Sequence, residues 1–221
     1  MHSTEVSKIP DIERAIDDAR IKTWDAITKI KTAIIPGMKE SEAIREAQGI
    51  LAGMGSRKFW HKCHIRFGGN TVLSFNDEYR DQVLGENDIY YIDLGPIWNG
   101  IEGDAGATFV VGKNPDYERC RDDSKKVFDG VAKHWQKTGA SGQALYEYAG
   151  KLAGEMGWEL APSYVRGHRL SEFPHSMYSD LTLDTVDYTP ASHRWVLEVH
   201  ICDPSKKFGA FYEDVLAKRP S

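Results

Sequence analysis

Apolar residues recur at three- to four-residue spacing near the start of the chain, at Ile12, Ile16, Ala19, Trp24, Ile27, Ile30 and Ile34, with one slip. That period predicts an amphipathic helix from Asp11 to about Ala33, stopped by Pro36-Gly37. Ser41 is a good N-cap for a second helix whose apolar face is Ile44, Ala47, Leu51 and Met54, ended by Gly53 and Gly55. The period then changes. A short run, FWHKCHIRF, spans Phe59 to Phe67, and Gly68-Gly69-Asn70 turns into a predicted short strand from Thr71 to Phe75. After the polar loop NDEYRDQ, Ile89 to Leu94 and Ala107 to Val111 are rich in Ile, Tyr and Val and separated by Gly, Pro and Asn, which predicts a β-hairpin with a wide connection.

A similar order follows. Pro115-Asp116 opens a helix carrying Val127, Val131 and Trp135 on one face, and Ser141 caps another with Leu145, Tyr148, Ala149, Leu152 and Met156 inward. The run WVLEVHI and the aromatic pair Phe211-Tyr212 read as strands near the end. Helix, helix, strand, hairpin is thus followed by helix, helix, strands, which predicts two similar halves within a single domain over 1–221. The likeness is architectural: no residue-level repeat and no Pro/Ser-rich linker is found.

Three acids sit where this pattern calls for apolar residues, and a fourth lies in the hairpin connection. Asp93 lies in an otherwise apolar strand, and Asp104 follows eleven residues later, so the hairpin folds the two back toward each other. Glu198 interrupts WVLEVHI and Glu213 follows Phe211-Tyr212. A buried carboxylate must be paired, hydrogen-bonded or bound to a cation, because leaving it unpaired costs several kcal/mol or more. His168, after Gly167, and His175, after Pro174, lie in a run without helical period. A pair of divalent ions bridged by carboxylates would satisfy the four acids and an imidazole together, whereas each acid alone is also explained as a salt-bridged core residue. His61, Cys63 and His64 form another cluster, but no second ligand pair follows and strand alternation sends His61 and His64 to opposite faces, so no local zinc site is expected.

Composition narrows the setting. The 221 residues carry 28% charged and 11% aromatic side chains, an ordinary globular balance, and a net charge of -5 argues against nucleic acid or an anionic membrane as the main partner. No apolar run approaches the ~20 residues that span a bilayer, and the polar, acidic start is unlike a secretory signal. Cys63, Cys120 and Cys202 are too few and too widely spaced for a disulfide framework. A cytoplasmic setting is the default expectation.

The pattern IDLG, an Asp eleven residues on in a GD…TFVVG context, GH with a second His at seven, then Glu and a final Tyr-Glu-Asp-Val resembles the pita-bread metallopeptidases. That family holds methionine aminopeptidases, Xaa-Pro aminopeptidases, prolidases and creatinase. The resemblance covers nearly the whole chain, including IIPGMKESEA and FGGNT. It implies an α+β pita-bread fold, a curved, mostly antiparallel sheet flanked by helices with pseudo-twofold halves. It also implies two divalent metal ions (Mn, Fe, Co or Zn). Asp93 would hold one ion, Asp104 and Glu213 would bridge, and His168 and Glu198 would hold the other. His175 would contact substrate near the scissile amide, and Glu198 would shuttle a proton between a metal-activated water and the leaving amine.

The chain departs from that pattern around the ligands. The family's histidine near the leaving group falls on Phe75, its Thr-Arg or Ser-Lys after the second Asp is Gly106-Ala107, and GHGxG reads GHRLS, placing Arg169 beside the metal histidine. Glu198 is followed by Val199 rather than Pro, and His200 lies on the same strand face as Glu198. Arg169, with His175 and His200, is a candidate for binding the carboxylate of a small anionic substrate, or Arg169 salt-bridges Glu172. Trp60, Trp98 and Trp195 are candidates for pocket walls or core.

The first reading is a dinuclear-metal hydrolase cleaving an amide or related C–N bond of a small peptide or amino-acid derivative, Xaa-Pro peptidase-like by family default. The second is a mononuclear Fe(II) oxygenase or oxidase using the same ligands. The third is a non-catalytic binding module of the same fold. A monomer or homodimer is expected, and the absence of the N-terminal domain of longer family members implies a cleft that is open or closed by a partner subunit.

Overall fold

The computed structural model describes residues 2–74, 76–162 and 166–218. Helix α1 (Ile12–Ala33) buries Ile12, Ile16, Ala19, Thr23, Ala26, Ile27 and Ile30, the one stripe that its apolar spacing marks out. Helix α2 (Glu40–Gly53) starts one residue before the expected cap. Its first residue, Glu40, is wholly buried and accepts from the Phe67 backbone N–H (2.7 Å) and the Asn70 amide (3.0 Å). Ser41 instead ties Asp81, with its N–H at 3.0 Å and its hydroxyl at 2.8 Å.

Strands β1 (His64–Phe67), β2 (Asp88–Leu94), β3 (Ile97–Trp98), β4 (Ile101–Glu102) and β5 (Ala105–Val111) follow. The strand expected over Thr71 to Phe75 is not found in its described part. Gly68–Val72 is a 3-10 turn, closed by the Thr71 hydroxyl donating to the Gly68 carbonyl at 2.6 Å, and Phe75 lies outside the described residues. Asn114 caps α3 (Pro115–Thr138), and Ser141 caps α4 (Gly142–Glu155) as its sequence position predicts. Strands β6 (Glu159–Leu160), β7 (Val196–Cys202) and β8 (Gly209–Val215) complete the set.

The main sheet runs β1-β2-β5-β8-β7-β6 with antiparallel neighbours throughout. Each half supplies two helices and three strands of this sheet, and the order is symmetric about the central β5/β8 pair. Two apolar clusters match the halves: Ile16, Ile27, Leu51, Ile65 and Ile92 in the first, Val127, Trp135, Leu145, Leu197 and Val199 in the second. Trp24 of α1 and Phe128 of α3 both meet the ring of Tyr212, so both helix pairs pack on one sheet face. Period-two alternation sends Asp93, Glu198, His200, Phe211 and Glu213 to the other face, where they line one pocket. No helix among the described residues is long and apolar enough to cross a membrane.

Candidate functional site

The central strands bring the acids together. Asp93 on β2 pairs with Gly106 on β5, Gly106 pairs with Glu213 on β8, and Glu213 pairs with Glu198 on β7, so these side chains form a row across four adjacent strands. Asp104 enters from the residue before β5. Oxygens of Asp93, Asp104 and Glu213 lie within 4.8 Å of one another. His168 arrives from the long connection between β6 and β7, fixed by a bridge to Thr182 and by the Val196 N–H donating to its carbonyl at 2.9 Å. Gly167 makes that approach possible: its φ is +72°, and a Cβ there would meet the Val196 carbonyl oxygen at 2.3 Å.

The five ligands implied by resemblance therefore converge. The His168 Nδ1–H donates to the Arg169 carbonyl at 2.8 Å, which aims Nε2 at Asp104 (2.5 Å) and Glu198 (4.0 Å). A backbone partner on one ring nitrogen, with the other facing acids, is how metal-binding histidines are oriented. Asp93 Oδ1, Asp104 Oδ1 and Glu213 Oε1 are buried without a hydrogen-bond partner among the described residues. Three such oxygens in one place have a large desolvation cost, and a shared divalent cation is the economical way to offset it. Oxygen donors with an imidazole suit Mn, Fe, Co or Zn. The residues present fit the metal that the fold implies.

The electrostatics express the same strain. Burial pushes the Asp93 carboxyl up to about 6 and Glu198 to about 8, and burial together with Asp104 and Asp93 drives Glu213 well above the carboxylate range. For Asp104 burial acts upward, but the hydrogen bond from His168 and the nearby His61 hold it below its ordinary value. Burial opposes charge on His61 and His168, yet the facing acids raise both to about 9.

His175 lines the pocket beside this row. Its Nδ1 lies 3.0 Å from Glu102, which also accepts the His175 N–H at 2.9 Å. Glu102 is wholly buried and was not among the sequence candidates, although IEGD shows the same anomaly of an acid in an apolar strand. His200 also lines the pocket; its Nε2–H donates to the Thr71 carbonyl at 2.7 Å, and burial depresses it to about 4. Tyr146 of α4, likewise missed, donates to the Glu198 carbonyl at 3.0 Å and pins that strand.

Arg169 is placed elsewhere. Its side chain is wholly buried and donates to the carbonyls of Thr4 (2.5 Å) and Val6 (2.8 Å), with its guanidinium 4.4 Å from the Tyr178 ring centroid. It clasps the N-terminal segment rather than lining the pocket, because the bridge to Trp195 fixes its backbone opposite to the neighbouring His168. Glu172 bonds Ser7, Ser171 and Tyr178 instead. Trp98 and Trp195 are core residues, whereas Trp60 lines the pocket.

The largest correction concerns His61. Strand alternation does not apply to it, because β1 begins only at His64. The rings of His61 and His64 stack at 5.6 Å and 10°, and together with Asp93 they form a second group with ligand spacing. The histidine position expected at Phe75 lies outside the described residues.

With the geometry in place, comparisons with known proteins become informative. No curated protein sequence matches the chain. Among solved structures, the prolidase of Pyrococcus horikoshii OT3 is 19% identical with a TM-score of 0.74, over 96% of this chain and 60% of that one. The X-Pro aminopeptidase of Thermotoga maritima MSB8 is 17% identical with a TM-score of 0.68, over 95% and 60%. The methionine aminopeptidase of Thermotoga maritima is 14% identical with a TM-score of 0.74, over 96% and 98%. At these identities the likeness is one of fold, and the chain spans about 60% of the prolidase's length. The family model described as metallopeptidase family M24 matches residues 14–217, so the chain belongs to this family of metallohydrolases, whose pita-bread fold it shares.

Proposed function

We propose that this chain is a dinuclear-metal-dependent hydrolase that cleaves the amide bond of a small peptide, with Xaa-Pro dipeptides as the first substrate class. The observation that carries the reading is the row of Asp93, Asp104, Glu213 and Glu198 with His168 at the head of one pocket, three of its buried oxygens lacking a hydrogen-bond partner among the described residues. Four ionised carboxylates balance the charge of two divalent cations. Asp93 would hold one ion, His168 and Glu198 the other, and Asp104 and Glu213 both. Bound there, the ions would supply Lewis acidity and a water of lowered pKa.

The chain's own groups suit the remaining work. Glu198, beside the ions, is placed to pass a proton between a metal-activated water and the leaving amine. The His175 Nδ1–H donates to Glu102, which leaves Nε2 to accept a hydrogen bond from a substrate N–H. Tyr91, Phe211, Leu73 and Leu181 give the pocket an apolar wall, and its volume of about 250 Å³ fits a dipeptide better than a protein segment. Retention of all five donors favours an enzyme over a module that uses the fold only for binding.

The test is hydrolysis of a panel of Xaa-Pro dipeptides and other short peptides by the metal-loaded protein, beside Glu198→Gln. The expected result is turnover that falls by about 100-fold or more in the variant, the range of general acid–base catalysis. Equal turnover by Glu198→Gln would contradict the assigned role.

A further inference from the structure

Between the two carboxylates of the hairpin stands a ring that the ligand set above does not use. His61 Nε2 lies 3.5 Å from Asp93 and 3.5 Å from Asp104, in both cases from Oδ1, and neither oxygen has a hydrogen-bond partner among the described residues. The other ring nitrogen is committed, since Nδ1 lies 2.7 Å from the Lys62 carbonyl and can only donate to it. A neutral His61 therefore turns its Nε2 lone pair toward two carboxylate oxygens that also carry lone pairs. Something positive must lie among the three atoms. A proton on Nε2 would draw an acid to about 2.7–2.9 Å, the length of a charge-assisted hydrogen bond. An ion bonded at about 2.1 Å sets neighbouring ligand atoms about 3.0 to 3.4 Å apart, from octahedral to tetrahedral geometry. The observed spacing is closer to the second.

We infer that His61 is a ligand of the metal ion on the Asp93 side, joining Asp93, Asp104 and Glu213 and giving that position an imidazole nitrogen. This inference rests on the metal-dependent reading above and extends its ligand set. The surroundings are built to seat the ring. A Cβ on Gly95 would meet His61 Cδ2 at 2.1 Å, His61 Nε2 at 2.4 Å and Trp60 Nε1 at 2.7 Å, so only glycine leaves room for both side chains. The Trp60 N–H donates to the Gly95 carbonyl (3.0 Å) and its indole N–H to the Gly103 carbonyl (3.2 Å), which ties the segment across the hairpin connection. The His64 ring stacks behind His61, with ring centroids 5.6 Å apart and planes 10° from parallel. A nitrogen donor on this side shifts metal preference from Mg and Mn toward Zn, Co and Fe.

Long-range proton–nitrogen spectra of the imidazole rings in the zinc-loaded chain test this, because coordination moves a ring nitrogen away from both its free and its protonated position. Two zinc-coordinated imidazoles are expected, one belonging to His168 and one lost in His61→Gln, which also binds one of its two zinc ions at least tenfold more weakly. A single coordinated imidazole, from His168, overturns the assignment of His61 and leaves the dinuclear reading standing. Loss of the second signal in His64→Ala while it persists in His61→Gln also overturns the assignment. Absence of any coordinated imidazole removes both readings.

Discussion

Gly106 stands where family members place a hydroxyl-bearing residue, and the structure gives a steric reason for its loss. Gly106 lies between Asp93 and Glu213 in the sheet register, so a side chain there would enter the row of acids. A Cβ would meet Phe211 Cε1 at 2.5 Å, Phe211 Cδ1 at 2.9 Å and Glu213 Oε1 at 3.0 Å. Carbon atoms sit comfortably at about 3.5–4.0 Å, so in Gly106→Ala the Phe211 ring must retreat by about 1 Å and the Glu213 carboxylate by a few tenths. Overpacking of this kind costs about 1–3 kcal/mol, and replacing glycine returns about 0.4–1 kcal/mol by restricting the unfolded chain, for a net loss of roughly 0–2.5 kcal/mol. The larger effect falls on the metal, because functional constellations tolerate displacements of only about 0.5 Å. Equilibrium dialysis should therefore show metal affinity reduced by at least about tenfold, and urea unfolding of the metal-free protein a modest loss. Adding Phe211→Ala to the same chain makes room for the methyl and should recover metal affinity. Wild-type affinity in Gly106→Ala, or a double variant no better than the single one, would refute the steric argument.

Other consequences are open to measurement. In the metal-free protein Glu198 keeps a proton up to about pH 8 that an unfolded glutamate releases near 4.5, and His61 and His168 keep theirs up to about 9 rather than 6.5. Above about pH 6.5 the native state thus holds more protons, so stability should fall as pH rises from about 6.5 to 9, by about 1.4 kcal/mol per pH unit for each proton retained; below 6.5 the depressed His64 and His200 work in the opposite sense. Asp104, held low, works in the opposite sense but only below the ordinary carboxylate range. Urea midpoints at pH 6.5, 7.5 and 8.5 without metal check this, and a flat or rising trend would contradict it; saturating metal should flatten the slope. Arg169→Ala should destabilise the chain by roughly 3 kcal/mol or more, through two lost charge-assisted bonds to Thr4 and Val6, with KM unchanged. A raised KM at unchanged stability would return Arg169 to substrate binding.

Asp93, Glu198 and Glu213 were legible in the sequence because each breaks an apolar strand, where a charge demands a partner, and Asp104 because the hairpin folds it back toward Asp93. Helices α1, α3 and α4 were legible from their 3.6-residue period and caps. What the sequence did not show depended on where a strand begins or which way a loop residue turns. His61 was set aside by an alternation rule that holds only from His64 onward. Arg169 was drawn to the site by its neighbour His168, yet adjacent residues on an extended segment point to opposite sides. Glu102 carried the same signal as Asp93 and was overlooked. Glu40 shows the converse: a helix N-terminal acid looks solvent-facing in sequence, and only the fold brings Phe67 and Asn70 to it. The order of candidate ligands along a chain is readable; the rotation of the residues between them is a tertiary property.

The count of metal ions bound per chain tests the central claim most directly. Protein stripped of metal and dialysed against Mn, Co or Zn should take up two ions, with peptide hydrolysis appearing as they bind. Saturation at one ion, or none, with the fold intact would contradict a dinuclear hydrolase.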